Sequence, residues 1–501
     1  MNKKVTIRRL KTGIPDFDDL LGGGLPEFSF NLIAGAPGSG KTTLAHQIMF
    51  SLATPDCRAI YFSVLGEPAF KMLRYQQQFH FFDSKKINQS IRYVNLTADL
   101  LEGHFDQVFA RIAEEVKIFS PSLVFVDSFR SIAHTEKVVD QGTSKLQRFV
   151  QDLSLQMSSW QATTFLIGEY ADAEKEASSV FTVADGIIHL KQNLHRNSVV
   201  RKIQVVKMRG QAQTPGLHTF RISENGIRIF RRAIVTASSS SSSSSNKEIR
   251  RISMGVPLLD DMLGGGLPVG YSVLLAGPSG SGKTILSTEF LAEGVRQGEL
   301  GVIAAFEKSP SQLLSYKLDA LVKAGQVGVI DTRVLDLSID ETLQNLMSMI
   351  TKLNAKRVVI DSLSGFELAL APEFSENFRE SLYRMIAVLT GMGSTVLMTS
   401  EQEDRYTELR FSPYGNAFLT DAIILQRYIE IAGQFKRVIS VVKMRGSDHS
   451  KDIRLFEISD QGILIGHPLN KYEGILSGQP NRQPADQNTQ IKKPKKELEY
   501  E

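Results

Sequence analysis

Two glycine-rich octapeptides, each ending in lysine and threonine, are the residues of this chain best suited to chemistry. The first is Gly35-Ala36-Pro37-Gly38-Ser39-Gly40-Lys41-Thr42 and the second Gly277-Pro278-Ser279-Gly280-Ser281-Gly282-Lys283-Thr284. Both fit G-x-x-x-x-G-K-S/T, where backbone N–H groups cradle nucleotide phosphates, the lysine reaches the β- and γ-phosphates and the hydroxyl meets magnesium. One match can arise by chance; two in matching surroundings call for a common cause. The candidate phosphate-contacting residues are Gly38, Ser39, Gly40, Lys41, Thr42 and Thr43, then Gly280, Ser281, Gly282, Lys283, Thr284 and Ile285.

Such a loop works only between a strand and a helix. The β-rich runs Phe30 to Ala34 and Ser272 to Ala276 lead into the two loops, and amphipathic stretches, Thr43 to Phe50 and Ile285 to Val295, follow them. The helix N-terminus adds positive potential at the phosphates. Farther on, Leu123-Val124-Phe125-Val126-Asp127 and Val358-Val359-Ile360-Asp361 are apolar throughout and end in aspartate. Runs apolar on both faces suit a parallel sheet covered by helices, with ligands beyond its carboxyl ends. Asp127 and Asp361 should therefore emerge beside the phosphates, holding magnesium through water with Thr42 and Thr284. An ordinary turn aspartate is the plainer alternative.

The repeat is long. Gly13-Ile14-Pro15 through Gly22-Gly23-Gly24-Leu25-Pro26 recurs as Gly255-Val256-Pro257 through Gly264-Gly265-Gly266-Leu267-Pro268, at the offset of the two lysines (283 − 41 = 242). Val206-Lys207-Met208-Arg209-Gly210 recurs as Val442-Lys443-Met444-Arg445-Gly446, offset by 443 − 207 = 236. Such a period means tandem domains, since solenoid units repeat every ~20–50 residues. The 501 residues divide into a domain at 1–236, a serine-rich linker at 237–248, a second domain at 249–476 and a solvated tail at 477–501. A linker with the unbroken run Ser238 to Ser245 cannot bury enough apolar surface to order itself.

Composition narrows the class. With 42% hydrophobic and 22% charged residues the chain reads as an ordinary globular protein. A net charge of +4 is too small to argue for nucleic acid, and no dense Lys/Arg stripe with interleaved aromatics is present. The single cysteine excludes an intramolecular disulfide framework. No apolar run reaches a membrane-spanning ~18 residues, and the start lacks the apolar core of a signal peptide. The expectation is a cytoplasmic protein with no membrane partner.

The Gly-Gly-Gly-Leu-Pro lead-ins, both phosphate loops, both aspartate strands and both Lys-Met-Arg-Gly segments together resemble the KaiC family, the tandem RecA-type ATPases of the bacterial circadian clock and their relatives. The resemblance spans nearly the whole chain. It implies an α/β fold of two tandem RecA-like P-loop NTPase domains, each a mostly parallel sheet flanked by helices, binding ATP and Mg2+. It further implies a homohexamer of two stacked rings with ATP between subunits, reached from the adjacent protomer by the Lys-Met-Arg segments. Lys207, Met208 and Arg209, then Lys443, Met444 and Arg445, are the matching positions, and Ser447, His449 and Lys451 continue the family's form. A cation delivered from outside the loop suits charge developing on a γ-phosphoryl group. A solvated basic turn is the alternative for these segments.

Departures from that family alter the expected function. Its clock members carry paired glutamates after the strand that follows the loop helix. Here the second copy reads Phe306-Glu307-Lys308, and the first Val64-Leu65-Gly66-Glu67-Pro68. Aligning Pro68 with Pro310 sets Leu65 opposite Glu307. Glu307 is the expected base, and also a candidate near the metal; Lys308 would favour its ionised form and weaken it. Leucine takes no proton, so the first domain should bind ATP with slow or no hydrolysis. At the family's phosphorylated pair stand Ala417 and Phe418, without hydroxyls, while Thr420, Ser412 and Tyr414 lie nearby. Gln213 replaces the family's histidine in the first copy.

The leading expectation is a signalling or regulatory ATPase. Lys283, Glu307, Lys443 and Arg445 would be catalytic, and the tail could dock a protein partner. The competing readings are a Ser/Thr autokinase with another acceptor, a DNA-dependent RecA-type ATPase, and a scaffold in which nucleotide only joins subunits.

Overall fold

The computed structural model describes residues 7–64, 69–101, 105–128, 142–170, 179–195, 198–232, 250–306, 316–330, 337–375, 378–402, 419–459, 462–470, 472–475 and 481–482. The chain divides into two compact units, Met1–Arg232 and Ala233–Glu501. The linker and most of the tail lie outside the described residues.

Each unit is built on a nine-stranded sheet. In the first, the order runs Gly226–Phe230, His218–Ser223, Ser198–Met208, Gly186–His195, Phe30–Gly35, Thr163–Glu169, Leu123–Asp127, Ala59–Ser63, Ile91–Asn95. The last six of these are mutually parallel, and the first three extend the sheet antiparallel. The second unit has the same order: Gly462–Pro468, Arg454–Ser459, Gln434–Met444, Ala422–Ile431, Ser272–Gly277, Thr395–Glu401, Arg357–Asp361, Gly301–Ala305, Val327–Ile330. Duplicated sequence has given duplicated topology: two tandem RecA-like α/β domains.

The loop-bearing strands are central, which explains their composition. All six residues of Phe30–Gly35 are buried, as are all six of Ser272–Gly277. Ile33 packs on one face with Leu44 and Ile48 of the helix Lys41–Leu52, while Leu32 and Ala34 pack on the other with Val108, Ile112 and Leu153. Alternate side chains thus enter two cores, one on each side of the sheet. The second unit repeats this with Val273 and Leu275 on one face and Leu274 and Ala276 on the other.

Both loop helices begin two residues earlier than sequence periodicity indicates, spanning Lys41–Leu52 and Lys283–Arg296. Apolar periodicity cannot register a first turn built of lysine and threonine. The shift places Lys41, Thr42, Lys283 and Thr284 in the first turn, where backbone N–H groups have no intrahelical partner.

Candidate nucleotide sites

The loops owe their shape to left-handed glycines. Gly38 and Gly40 have φ of 73° and 100°, and Gly280 and Gly282 have 75° and 105°. A Cβ on Gly40 would lie 2.8 Å from Ile222 Cδ1, and one on Gly282 would lie 2.8 Å from Ile458 Cδ1. Only glycine meets both demands cheaply. Across each loop the lysine folds back: Lys41 Nζ donates to the Ala36 carbonyl at 2.9 Å, and Lys283 Nζ to those of Gly277 and Pro278, each at 2.8 Å. Burial lowers the Lys41 pKa, opposed by the charges of Glu169 and Asp127. Ser39 Oγ is buried with no hydrogen-bond partner, and Ser281 Oγ donates to Gln426 Oε1 at 3.0 Å. Helix-start N–H groups, a tethered ammonium and an unsatisfied hydroxyl on one rim fit the phosphates of a nucleotide.

Both aspartates meet the loop threonine. Thr42 Oγ1 donates to Asp127 Oδ2 at 2.8 Å, and Thr284 Oγ1 to Asp361 Oδ2 at 2.9 Å. In both copies a cis peptide joins the aspartate to the following serine. A hydroxyl that gives its proton to a carboxylate turns its lone pairs outward, the arrangement a hard divalent cation requires. Support behind the pair differs between copies. Tyr61 OH donates to Asp127 Oδ2 at 2.6 Å, whereas Thr399 Oγ1 donates to Asp361 Oδ1. Burial raises the Asp127 pKa, against the Tyr61 and Thr42 hydrogen bonds and the Lys41 charge.

The Lys-Met-Arg segments sit at the other end of the sheet. Met208 pairs with Gly186, which pairs with Asn31, near the start of the strand whose far end, Gly35, opens the loop. Four residues of strand separate the two levels, roughly 13 Å. In the second unit Met444 pairs with Ala422 and Ala422 with Val273, again four residues short of Gly277. Lys207 Nζ donates to the Thr182 carbonyl at 3.2 Å, and Lys443 Nζ to that of Thr420 at 2.5 Å. Burial first, and the neighbouring arginine second, lower the pKa of both lysines. Arg209 bridges Asp185 at 3.0 Å and Arg445 bridges Asp421 at 3.2 Å, with the arginine side chains 59% and 63% exposed. Each aspartate also accepts from the backbone of the first residue of the loop strand: Asp185 from Phe30 N and Asp421 from Ser272 N, both at 3.0 Å. Met208 and Met444 are buried anchors. Neither segment meets its own loop.

Known proteins agree with this double architecture. A family model described as "ATPase: KaiC" matches residues 10–234 and again 252–470. The chain belongs to the KaiC ATPase family. It is 30% identical to the circadian clock protein KaiC3 of Synechocystis sp. over 95% of each chain. It is 29% identical to the circadian clock oscillator protein KaiC of Rippkaea orientalis, covering 97% of this chain and 94% of that protein. The Thermostichus vulcanus KaiC is 28% identical over 97% of this chain and 94% of its own length. The two matched stretches are thus KaiC-type ATPase domains, the framework of an ATP-binding protein.

Against that KaiC framework several sequence-derived residues can be placed. Val64 N donates to the Asp127 carbonyl and Phe306 N to that of Asp361, both at 2.8 Å, so the two strand ends share one register. The next residues are Leu65 and Glu307, as the proline alignment requires. They lie outside the described residues, as do Gly66, Glu67, Lys308, Ser412, Tyr414, Ala417 and Phe418. Thr420 is described and is buried, at 1% exposure. Ser447 Oγ is buried without a hydrogen-bond partner, while His449 N bonds its neighbour Asp448 Oδ1 at 2.9 Å. Thr43, Ile285 and Lys451 are partly or fully exposed beside these elements. Sequence reasoning missed Tyr61 and Thr399. The signal for Tyr61 was a phenol in the middle of a mostly apolar strand, since buried tyrosine hydroxyls find a partner. Among the described residues no helix is long and apolar enough to cross a membrane.

Proposed function

We propose that this chain is a regulatory ATPase of the KaiC type that works as a head-to-tail homohexameric ring, each nucleotide lying between one subunit's loop and the next subunit's Lys-Met-Arg segment. The observation that carries this reading is the position of those segments at the far end of their own sheets. In both copies the phosphate loop and the Lys-Met-Arg cations occupy opposite ends of one sheet, the layout that a repeated heterologous interface closes into a ring.

Bound magnesium and ATP would supply the transferable phosphoryl group and part of its charge neutralisation. In the second site Thr284 and Asp361 would hold the metal, Lys283 would bind the β- and γ-phosphates, and Glu307 would orient or deprotonate the attacking water. Lys443 and Arg445 would act from the adjacent subunit on charge developing in the transition state. In the first site Lys41, Thr42 and Asp127 would grip nucleotide in the same way, with Lys207 and Arg209 in trans. Leu65 in place of a carboxylate leaves that site to bind ATP with little turnover. Nucleotide-dependent shape would then be read by a protein partner, through a surface such as the tail.

The test is light scattering after size exclusion, with and without Mg-ATP, beside phosphate release from wild type and Glu307→Gln. The expected result is a hexamer at saturating nucleotide and turnover cut at least ~100-fold by the substitution. A lone protomer with ATP bound refutes the ring. Undiminished turnover in Glu307→Gln refutes the base.

A further inference from the structure

The two sites hold their aspartates differently, in a way the duplication does not require. Tyr61 is fully buried in the strand Ala59–Ser63, and its hydroxyl reaches Asp127 Oδ2 at 2.6 Å. That same oxygen accepts from Thr42 at 2.8 Å. Three rings fix the phenol: His46 at 4.5 Å, Tyr93 at 5.4 Å and Phe125 at 6.1 Å between centroids. His46 in turn donates from Nδ1 to the Thr42 carbonyl at 2.8 Å. In the second unit Ile303 stands in Tyr61's place, as the sheet registers show. Asp361 Oδ2 there accepts from Thr284, while Thr399 donates to the other oxygen, Oδ1.

From this difference we infer that Tyr61 is a positioning residue that raises the magnesium demand of the first site by occupying the Asp127 oxygen that faces Thr42. The inference rests on the nucleotide reading above and concerns its metal. A carboxylate oxygen offers about two acceptor positions. At Asp127 Oδ2, Thr42 and Tyr61 take both, so water bound to a cation beside Thr42 must displace the phenol or do without that oxygen. At Asp361 Oδ2 the threonine takes one. Two sites with the same loop should therefore respond to different magnesium concentrations, the second filling first.

The test uses full-length protein carrying Lys283→Ala, which silences the second loop, and follows fluorescence of a methylanthraniloyl-ATP probe during magnesium titration. Removing a hydrogen bond to a charged group changes an equilibrium by about tenfold or more. Tyr61→Phe, which keeps the ring, should thus lower the half-saturating magnesium about tenfold. Tyr61→Ile, which installs the second site's residue, should move it in the same direction. The thermal midpoint of each variant reports folding separately, and a purely structural tyrosine would shift that midpoint without moving the magnesium curve. An unchanged or raised magnesium requirement in both variants overturns the inference while leaving nucleotide binding intact. Absence of probe binding with Tyr61 in place removes the nucleotide reading itself, and this inference with it.

Discussion

Replacing Arg445 by alanine separates the arginine's role in its own fold from its role toward a neighbour. Among the described residues Arg445 makes one ion pair, to Asp421 at 3.2 Å, with the arginine side chain 63% exposed. Pairs so exposed contribute about 0–1 kcal/mol, so the thermal midpoint should fall by no more than about 4 °C. A cation placed on transferring phosphate is worth about 10³–10⁵ in rate. The prediction is a folded, nucleotide-binding ring with hydrolysis reduced at least about a thousandfold. The deciding assay mixes Arg445→Ala with Lys283→Ala, each inactive alone, under conditions that allow subunits to exchange. Where a subunit with an intact loop meets a neighbour with an intact arginine, the site is whole. Random equal mixing makes about a quarter of interfaces so, and phosphate release should recover to about that fraction of wild type. Recovery no greater than the sum of the separate variants means the arginine does not work in trans, and the ring argument fails.

Other outcomes follow from individual contacts. Arg357 is fully buried, bonded to Glu299 at 2.9 Å and to the Ser253 and Phe290 carbonyls; Arg357→Ala should cost about 3–5 kcal/mol in urea unfolding of the second domain. A cost below about 1 kcal/mol would show that the pairs do not constrain the fold. Burial holds the His46 pKa at about 4, against an ordinary 6.5. The unfolded chain therefore takes up a proton first as pH falls. Stability from a neutral His46 is complete above 6.5 and is lost progressively toward 4, by about 3 kcal/mol in all. His46→Thr, matching Thr288 of the second copy, should flatten that part of the pH profile of denaturant unfolding; identical profiles would count against it. At Gly282, φ of 105° and the 2.8 Å approach of Ile458 predict that Gly282→Ala costs about 1–3 kcal/mol and weakens probe binding at the second site. Unchanged affinity would mean the loop tolerates a side chain there.

How much of this was legible beforehand depends on the range of the interaction. The phosphate loops, their flanking strands and the aspartate strands are local patterns, in which residue type follows from burial and backbone conformation over a few positions. The duplicated sheets followed because equal local patterns in the same order pack alike. Helix starts were read two residues late because polar first-turn residues carry no periodic signal. Tyr61 escaped notice because a strand with a phenol reads as apolar until its partner, sixty-six residues away in sequence, is seen beside it.

Sequence by itself determined that there are two domains, that each carries the parts of a phosphate site, and that the copies differ where Leu65 stands opposite Glu307. These depend on residue identity and spacing along the chain. Only the tertiary structure decided that the Lys-Met-Arg segments lie at the far end of the sheet from their own loops, and that Asp127 and Asp361 are supported by different hydroxyls. Both depend on strand order and register, which bring together residues far apart in the chain, and no local pattern of side chains encodes that distance.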